Sequence, residues 1–375
     1  MPDPRIALAH DWLVGMRGGE RVLDRIAALV GPVNLYVMVA DGSPHTPAID
    51  ACQVRTSWLQ RLPGAAHRDG GARRWYLPLY PLAVRMLAVD PDVDLLISTS
   101  SAFISSIRPP VNRRTGRSAA HLCYCHTPPR YLFEQPGDYD GALTRLGLAA
   151  AGPFLRGSLR RGARSVTQFI ANSSHTAARI RRAYGRESRI IHPPVRTGFF
   201  TPDAEVARED FLLMAGALES YKRFDLAIAA AISLNRRLLI AGTGSDERRL
   251  RGLASGHALV QFTGRVSDEE LRDLFRRARM LLFPGMEDFG ILPIEAMACG
   301  CPVAAFDAGG ARDWLTPQMG ARMKSQTARR LMDAIAEIES RACEFDPGGM
   351  HRHAQQFSDQ RFDEAILDVI RRLAE

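Results

Sequence analysis

Strand-like apolar runs alternate with helix-like stretches along the chain, and a turn-rich segment near the middle interrupts the alternation before it starts again. No other feature constrains the fold as much. Strands separated by helices pair in parallel, with the helices crossing over the sheet faces. In the first half the patterning predicts strands at 6–9, 34–39, 95–98, 120–123 and 166–171. After Ile190-Ile-His-Pro-Pro-Val195, the stretch Thr197-Gly-Phe-Phe-Thr-Pro202 reads as a linker. The second half then predicts strands at 211–215, 237–241, 260–263, 280–283 and 303–306, alternating with helices at 225–233, 245–254, 268–278 and 293–299. A chain of 375 residues exceeds the usual single core. The expectation is an α/β protein with two doubly wound, Rossmann-like domains at 1–196 and 197–350. Residues 351–375 form a final segment ending in a helix at 359–374. Ligands of such sheets bind beyond the carboxyl ends of the strands.

One such end carries unusual chemistry. Arg279-Met-Leu-Leu-Phe-Pro284 reads as a buried strand, and a helix follows that contains Pro293 and stops at Gly300. Between them, Glu287-Asp-Phe-Gly-Ile-Leu-Pro-Ile-Glu295 places a glycine turn where strand becomes helix. The first N–H groups of a helix lack intrahelical partners and face the positive end of the dipole, which favours phosphate or pyrophosphate. Proline in the first turn sacrifices no hydrogen bond, so Pro293 marks the helix start and keeps Glu295 near it. Glu287 and Glu295 thus flank one anion site, and a carboxylate accepts two hydrogen bonds from a sugar diol. This is the chemistry of a nucleotide-sugar site.

The E-x7-E segment resembles the signature of retaining glycosyltransferases of family 4, which have GT-B architecture. So do Gly216-Ala-Leu-Glu-Ser-Tyr-Lys-Arg223, Leu239-Ile-Ala-Gly-Thr-Gly244, Phe262-Thr-Gly-Arg-Val-Ser-Asp-Glu-Glu-Leu271 and His10-Asp-Trp-Leu-Val-Gly-Met-Arg-Gly-Gly-Glu20, in the family's order. The resemblance implies two Rossmann-like domains facing across a cleft, with the final helix crossing back to the first. It implies that Glu287 orients the donor sugar, Lys222 contacts the diphosphate and Glu295 binds the ribose. Phe289, Gly290, Ile291 and Leu292 form the anion turn. Arg265 and Val266 lie near the base, and Gly18 and Gly19 near the donor phosphates. His126, in Cys123-Tyr-Cys-His-Thr-Pro-Pro-Arg-Tyr131, is placed at the transferred sugar, and His10 and Asp11 line the acceptor side. Where relatives read Gly-Arg-Leu, this chain has Gly216-Ala-Leu, so an arginine that braces the diphosphate is replaced by Ala217, with Arg223 the expected substitute. The HDWLVGMRGGERVLD and YCHTPPRYLF segments resemble mannosyltransferases of bacterial O-antigen and exopolysaccharide assembly. They favour transfer from GDP-mannose to a glycan or lipid-linked glycan.

Other motifs yield less. Gly242-Thr-Gly244 lacks the third glycine and the later acid of a dinucleotide fingerprint. Asp90, Asp92 and Asp94 resemble a divalent-metal ligand set, but they precede a strand, at the wrong end of a parallel sheet. No metal and no cofactor beyond the nucleotide-sugar co-substrate is expected. Lysine, arginine and helix dipoles are then left to neutralise the leaving diphosphate. The six cysteines follow no zinc or disulfide spacing. No run is long enough for a membrane span, and no signal peptide is read, so a cytoplasmic location is expected.

The net charge of +8 is almost entirely arginine, Lys222 and Lys324 being the only lysines. Arginines concentrate in the first half. Arg61, Arg68, Arg73 and Arg74 fall in 55–85, where Trp75, Tyr76, Leu77, Leu79 and Tyr80 lie beside Arg73 and Arg74, apolar positions that suit an interface and equally a plain core helix, and Arg156, Arg160, Arg161, Arg164, Arg179, Arg181 and Arg182 follow in 145–189. No nucleic-acid motif accompanies them, which favours peripheral contact with an anionic membrane at its inner face. Two other function classes are a nucleotide-sugar binder without turnover and a dinucleotide-dependent oxidoreductase.

Overall fold

A computed structural model of the chain describes residues 4–16, 18–67, 73, 75–134 and 142–374, and the side chains of all of these except 142–149. Arg17, Arg68 and Arg74 lie outside the described residues, as does the side chain of Arg145. The chain divides into two compact units, Met1–His192 with Phe362–Glu375, and Pro193–Arg361. The change of unit at Pro193 precedes the linker expected at 197–202, and 351–361 stays with the second unit instead of the final helix.

The first unit holds a seven-stranded sheet in the order β3-β2-β1-β4-β5-β6-β7. Its strands are β1 Ile6–Leu13, β2 Asn34–Ala40, β3 Gln53–Thr56, β4 Leu95–Ser100, β5 Ala120–Cys125, β6 Gln168–Ala171 and β7 Ser188–Ile190. All neighbours pair in parallel. Successive side chains on a strand point to opposite faces, and the core divides accordingly. Ala7, Ala9, Tyr36, Met38 and Leu96 enter one cluster, whereas Leu8, Leu35, Val37, Leu95 and Ile97 enter another on the other face. With both faces covered, the central strands read as continuous apolar runs. β3 and β7 were not expected from sequence. They are short edge strands, and β3 is exposed throughout, so neither carries a buried run.

The second unit repeats the plan with six strands in the order β10-β9-β8-β11-β12-β13. They are β8 Leu212–Ala215, β9 Leu238–Ala241, β10 Val260–Gly264, β11 Met280–Phe283, β12 Val303–Phe306 and β13 Gly320–Met323. Leu213, Leu239 and Leu281 face one core cluster, and Leu212, Leu238 and Met280 face the other. β13, also unexpected, begins at Gly320, where a Cβ would sit 1.9 Å from the Val303 carbonyl oxygen. The glycine lets this edge strand close on β12, and it breaks the apolar pattern by which a strand is recognised.

The final helix, Asp359–Ala374, packs onto the first unit. Phe362, Ile366, Val369 and Ile370 join Leu8, Leu13, Val22 and Leu23 in one cluster. Arg25 Nε donates to Asp363 at 2.7 Å, and Arg189 pairs with Asp368 at 2.9 Å, so both flanks of the helix are tied. Among the described residues, no helix is long and apolar enough to cross a membrane. Ile366 is fully buried. Ile366→Ala should cost about 2–5 kcal/mol of stability, read from urea melts. A loss below about 0.5 kcal/mol would mean that this helix does not complete the first core.

Candidate active site

In each sheet the connections reverse direction at one point, and the strand ends there form a natural crevice. For the second unit that point lies between β8 and β11. From β8 the chain enters Gly216-Ala-Leu and a single turn, Ser220–Lys222. Arg223 adopts a left-handed conformation with φ 60°, and the helix Phe224–Ser233 follows. From β11 it enters Gly285 to Gly290 and the helix Ile291–Ala298.

Glycines hold these two loops together. A Cβ on Gly285 would lie 2.7 Å from the Lys222 Cα, and one on Gly242 would lie 1.9 Å from the Gly216 carbonyl oxygen. A Cβ on Gly244 would lie 2.4 Å from the Leu218 carbonyl oxygen. Gly242 and Gly244 therefore serve backbone packing against the 216–218 loop. The space that a dinucleotide fingerprint keeps for pyrophosphate is filled here by protein, so this motif does not carry the oxidoreductase reading. Gly309 and Gly310 act likewise on the other loop, where their Cβ atoms would meet the Glu287 carbonyl oxygen at 2.2 Å and the Phe289 Cα at 2.3 Å.

Packed this way, Lys222 Nζ lies 2.9 Å from Glu287 Oε1. Burial opposes the lysine's charge, but the Glu287 carboxylate outweighs it and the ammonium is held above its usual range. The Gly290 turn has φ 88°, and no side chain caps the helix Ile291–Ala298. Its leading N–H groups, from Ile291 and Leu292, are thus left for an anion. Phe289 contributes through its backbone. Its ring packs 5.7 Å from that of Phe357, and its carbonyl accepts from Trp314 Nε1 at 2.7 Å.

Glu295 is 3 % exposed, and its Oε1 lies 3.8 Å from Arg196 Nη2. Arg196 also pairs with Asp268 at 2.6 Å and sits 5.4 and 5.2 Å from the rings of Phe199 and Phe200. The sequence reading missed Arg196, because its partners are distant in the chain and no motif marks it. Arg265 is exposed and Val266 half-buried at the end of β10, the sheet edge, two strands from the reversal. Arg223 corrects an expectation. Its Nε and Nη2 both donate to the Asp225 carboxylate at 3.0 Å, so in this state the guanidinium is paired with its neighbour two residues on, and its expected service to a diphosphate would require it to be shared with or released from Asp225.

In the first unit the reversal lies between β1 and β4. Asp11 sits there, and it too corrects an expectation. It is fully buried and accepts from the backbone N–H groups of Ser101, Ala102, Phe103 and Ile104 at 2.6–2.9 Å. Burial pushes its carboxyl up, against the His10 ring and these donors. Asp11 therefore fixes the turn after β4 and does not line an acceptor surface. His10 is next to it, with Nδ1 2.7 Å from Thr99 Oγ1 and Nε2 3.7 Å from Glu20 Oε1.

The helix Gly18–Val30 begins within the glycine loop. A Cβ on Gly19 would lie 3.4 Å from His126 Nε2 and 3.8 Å from His10 Cε1, so Gly19 packs against both imidazoles. His10 is itself buried, at 3 % exposure, which corrects the expectation that it lines an open acceptor surface. The His126 carbonyl accepts from Asn172 Nδ2 at 3.0 Å, and its N–H donates to the Ser100 carbonyl at 2.8 Å. Glu20 ends the motif that His10 begins, but its role is not legible in the sequence, because only the fold turns it back to His10. The aspartates 90, 92 and 94 precede β4, and all three are engaged, Asp90 Oδ1 accepting from the Asp92 N–H at 2.9 Å. Asp92 accepts from Arg5 at 3.0 Å and Asp94 from Arg114 at 2.9 Å.

Residues 199–347, within the second unit, match the family described as Glycosyl transferases group 1. The chain is similar to the D-inositol 3-phosphate glycosyltransferase of Geodermatophilus obscurus, at 30 % identity over 239 residues, 56 % of this chain and 53 % of that protein. The Mycobacterium bovis protein of the same name is 28 % identical over 240 residues, 55 % of this chain and 48 % of its own. The chain thus spans about half the length of the curated relatives it matches. Among solved structures, the sucrose-phosphate synthase of Thermosynechococcus elongatus superposes with a TM-score of 0.75 at 18 % identity, over 99 % of both chains. Anabaena HepE, solved with UDP and glucose, gives 0.70 at 17 % identity, over 98 % of this chain and 99 % of its own. The fold is that of GT-B glycosyltransferases, with two parallel-sheet α/β domains.

His10 gives this site a pH dependence. Burial disfavours its charge, yet Glu20 more than offsets this and the imidazole is held above its usual range. A raised value contributes stability that is complete below the ordinary histidine range and is lost as pH rises through the folded value. Glu20→Gln should therefore destabilise the protein more at about pH 5.5 than at about pH 9, read from urea melts at both. Equal losses at the two pH values would contradict the coupling.

Proposed function

We propose that the protein is a retaining, metal-independent glycosyltransferase that moves a hexose from a nucleoside-diphosphate sugar to a growing, lipid-linked glycan. The observation that carries the reading is the Lys222–Glu287 pair, 2.9 Å apart at the carboxyl ends of β8 and β11, beside an uncapped helix start. A diphosphate leaving group gathers negative charge as its bond to the sugar breaks, while positive charge grows on the anomeric carbon. Donors fixed in advance stabilise that change without reorganising.

In this reading Lys222 and the N–H groups of Ile291 and Leu292 take the diphosphate. Glu287 holds a sugar hydroxyl with the carboxylate that also fixes the ammonium. Glu295 takes the ribose, with Arg196 Nη2 3.8 Å from its Oε1. Arg265 and Val266 lie towards the base. In the first unit, His126 and His10 are the groups assigned to the transferred sugar and acceptor, and Gly18 and Gly19, which open the helix Gly18–Val30, are assigned to the donor phosphates. The sequence resemblance favours GDP-mannose as donor. HepE, by contrast, was solved with UDP and glucose, and the curated relatives are named for D-inositol 3-phosphate. A panel of GDP-, UDP- and ADP-sugars decides among them, because a donor at about 100 times its dissociation constant raises stability by about 2.7 kcal/mol. An acceptor carried on lipid fits peripheral attachment to a membrane. A nucleotide-sugar binder without turnover is the second reading, favoured by Ala217 and by the occupied Arg223.

The two carboxylates should separate in kinetics. With the donor found by the panel, Glu287→Ala should lower turnover by about a hundredfold while the nucleoside diphosphate still binds, and Glu295→Ala should weaken that binding about tenfold. Turnover of the parent protein should survive a chelator. Unchanged turnover in Glu287→Ala would remove its assigned role, and chelator-sensitive turnover restored by Mn²⁺ would remove metal independence. Donor binding without transfer to any acceptor would select the second reading.

A further inference from the structure

We propose that Trp75, Leu79, Leu82 and Met86 form a face of the first unit that docks onto an anionic lipid bilayer. This deepens the reading of a lipid-linked acceptor and names the surface that would bring the chain to it. The helical turns Leu77–Leu79 and Tyr80–Arg85 are amphipathic in a definite sense. Tyr80, Ala83, Val84 and Leu87 point into the core, and the buried Pro81 lies with them. The outward side carries Leu82 at 54 % exposure and Met86 at 62 %, with Leu79 and, just before them, Trp75 at 72 %. Scattered apolar side chains on a surface are ordinary, but large ones gathered on one short segment mark a contact surface. Tryptophan among aliphatic residues suits the boundary between headgroups and acyl chains.

Charge selects the occupant. Arg61 and Arg85 are exposed on this part of the chain. The helix Ala142–Gly162 packs beside the helix Tyr80–Arg85, and it exposes Phe154, Arg160 and Arg161, with Arg164 exposed just beyond its end. No aspartate or glutamate occurs from Ala142 to Arg186. Some of these arginines are structural, since Arg179 pairs with Glu134 and Arg186 donates to the Ala163 and Val166 carbonyls. The exposed remainder leaves arginine in excess, with Asp90 exposed four residues after Met86, and anionic headgroups neutralise such an excess. Two copies of the chain meeting through this surface would bring like charges together. Aliphatic Leu79, Leu82 and Met86 offer nothing to stacked bases, so nucleic acid fits less well.

Co-sedimentation of the full chain with vesicles tests the proposal, using phosphatidylcholine alone and phosphatidylcholine with about one third phosphatidylglycerol. Binding should be at least about tenfold stronger to the anionic vesicles and should fall as salt rises to about 0.5 M. The fluorescence emission should shift to the blue on binding, and Trp75→Phe should remove that shift. Leu82→Glu combined with Met86→Glu should weaken vesicle binding about tenfold or more, with the melting temperature and the thermal shift given by nucleoside diphosphates unchanged. The proposal is overturned if anionic vesicles do not bind, if the double variant binds them as well as the parent, or if the face instead holds a dimer that the double variant dissolves. It is also overturned if a short RNA competes away the vesicles. Vesicle binding by a protein with no transfer activity would leave the docking face standing and remove the glycosyltransferase reading alone.

Discussion

An ammonium and a carboxylate half-withdrawn from water, Lys222 and Glu287, are the interaction on which the second unit's site depends. Taking both charges out of water costs several kcal/mol, and mutual attraction recovers this only in good geometry. The geometry comes from backbones pressed together. Gly242, Gly244 and Gly285 let the loops after β8, β9 and β11 approach more closely than any Cβ would allow. Gly309 and Gly310 fix the Glu287–Phe289 backbone from the other side. A pair kept at this cost in a chain otherwise rich in arginine points to use of the compact ammonium itself, whose three donors can serve Glu287 and an incoming phosphate oxygen together.

The first unit solves a different problem at its own reversal point. Asp11 gathers four backbone N–H groups and so locks the turn after β4. With that turn fixed, the Ser100 carbonyl receives the His126 N–H, and Asn172 holds the His126 carbonyl. A residue that never meets substrate thus sets the position of one that is proposed to. Glu20 does the same for His10 through charge, which makes the state of that imidazole depend on pH.

The doubly wound plan was legible because its central strands are buried on both faces and read as unbroken apolar runs, as at 212–215 and 280–283. The edge strands β3, β7 and β13 escaped because edges need no such run. Within the site, glycine turns and the paired glutamates could be read, since their chemistry is local to a few residues. Partnerships across the fold could not. Asp11 was expected at a surface because it follows a histidine at a strand end, and only the structure shows that its partners lie some 90 residues on. Arg223 is different, because Asp225 stands two residues away and the bidentate pair was available to a reading that sought a phosphate partner instead.

The central claim, that Lys222 is the diphosphate-binding cation of the second unit, is tested most directly by calorimetric titration of GDP and UDP into the parent protein and Lys222→Met. A hydrogen bond to a charged group contributes about 1.5–3 kcal/mol, so the variant should bind the cognate diphosphate at least about tenfold more weakly while its circular dichroism spectrum still reports the parent fold. Equal affinity in the two proteins would contradict the account.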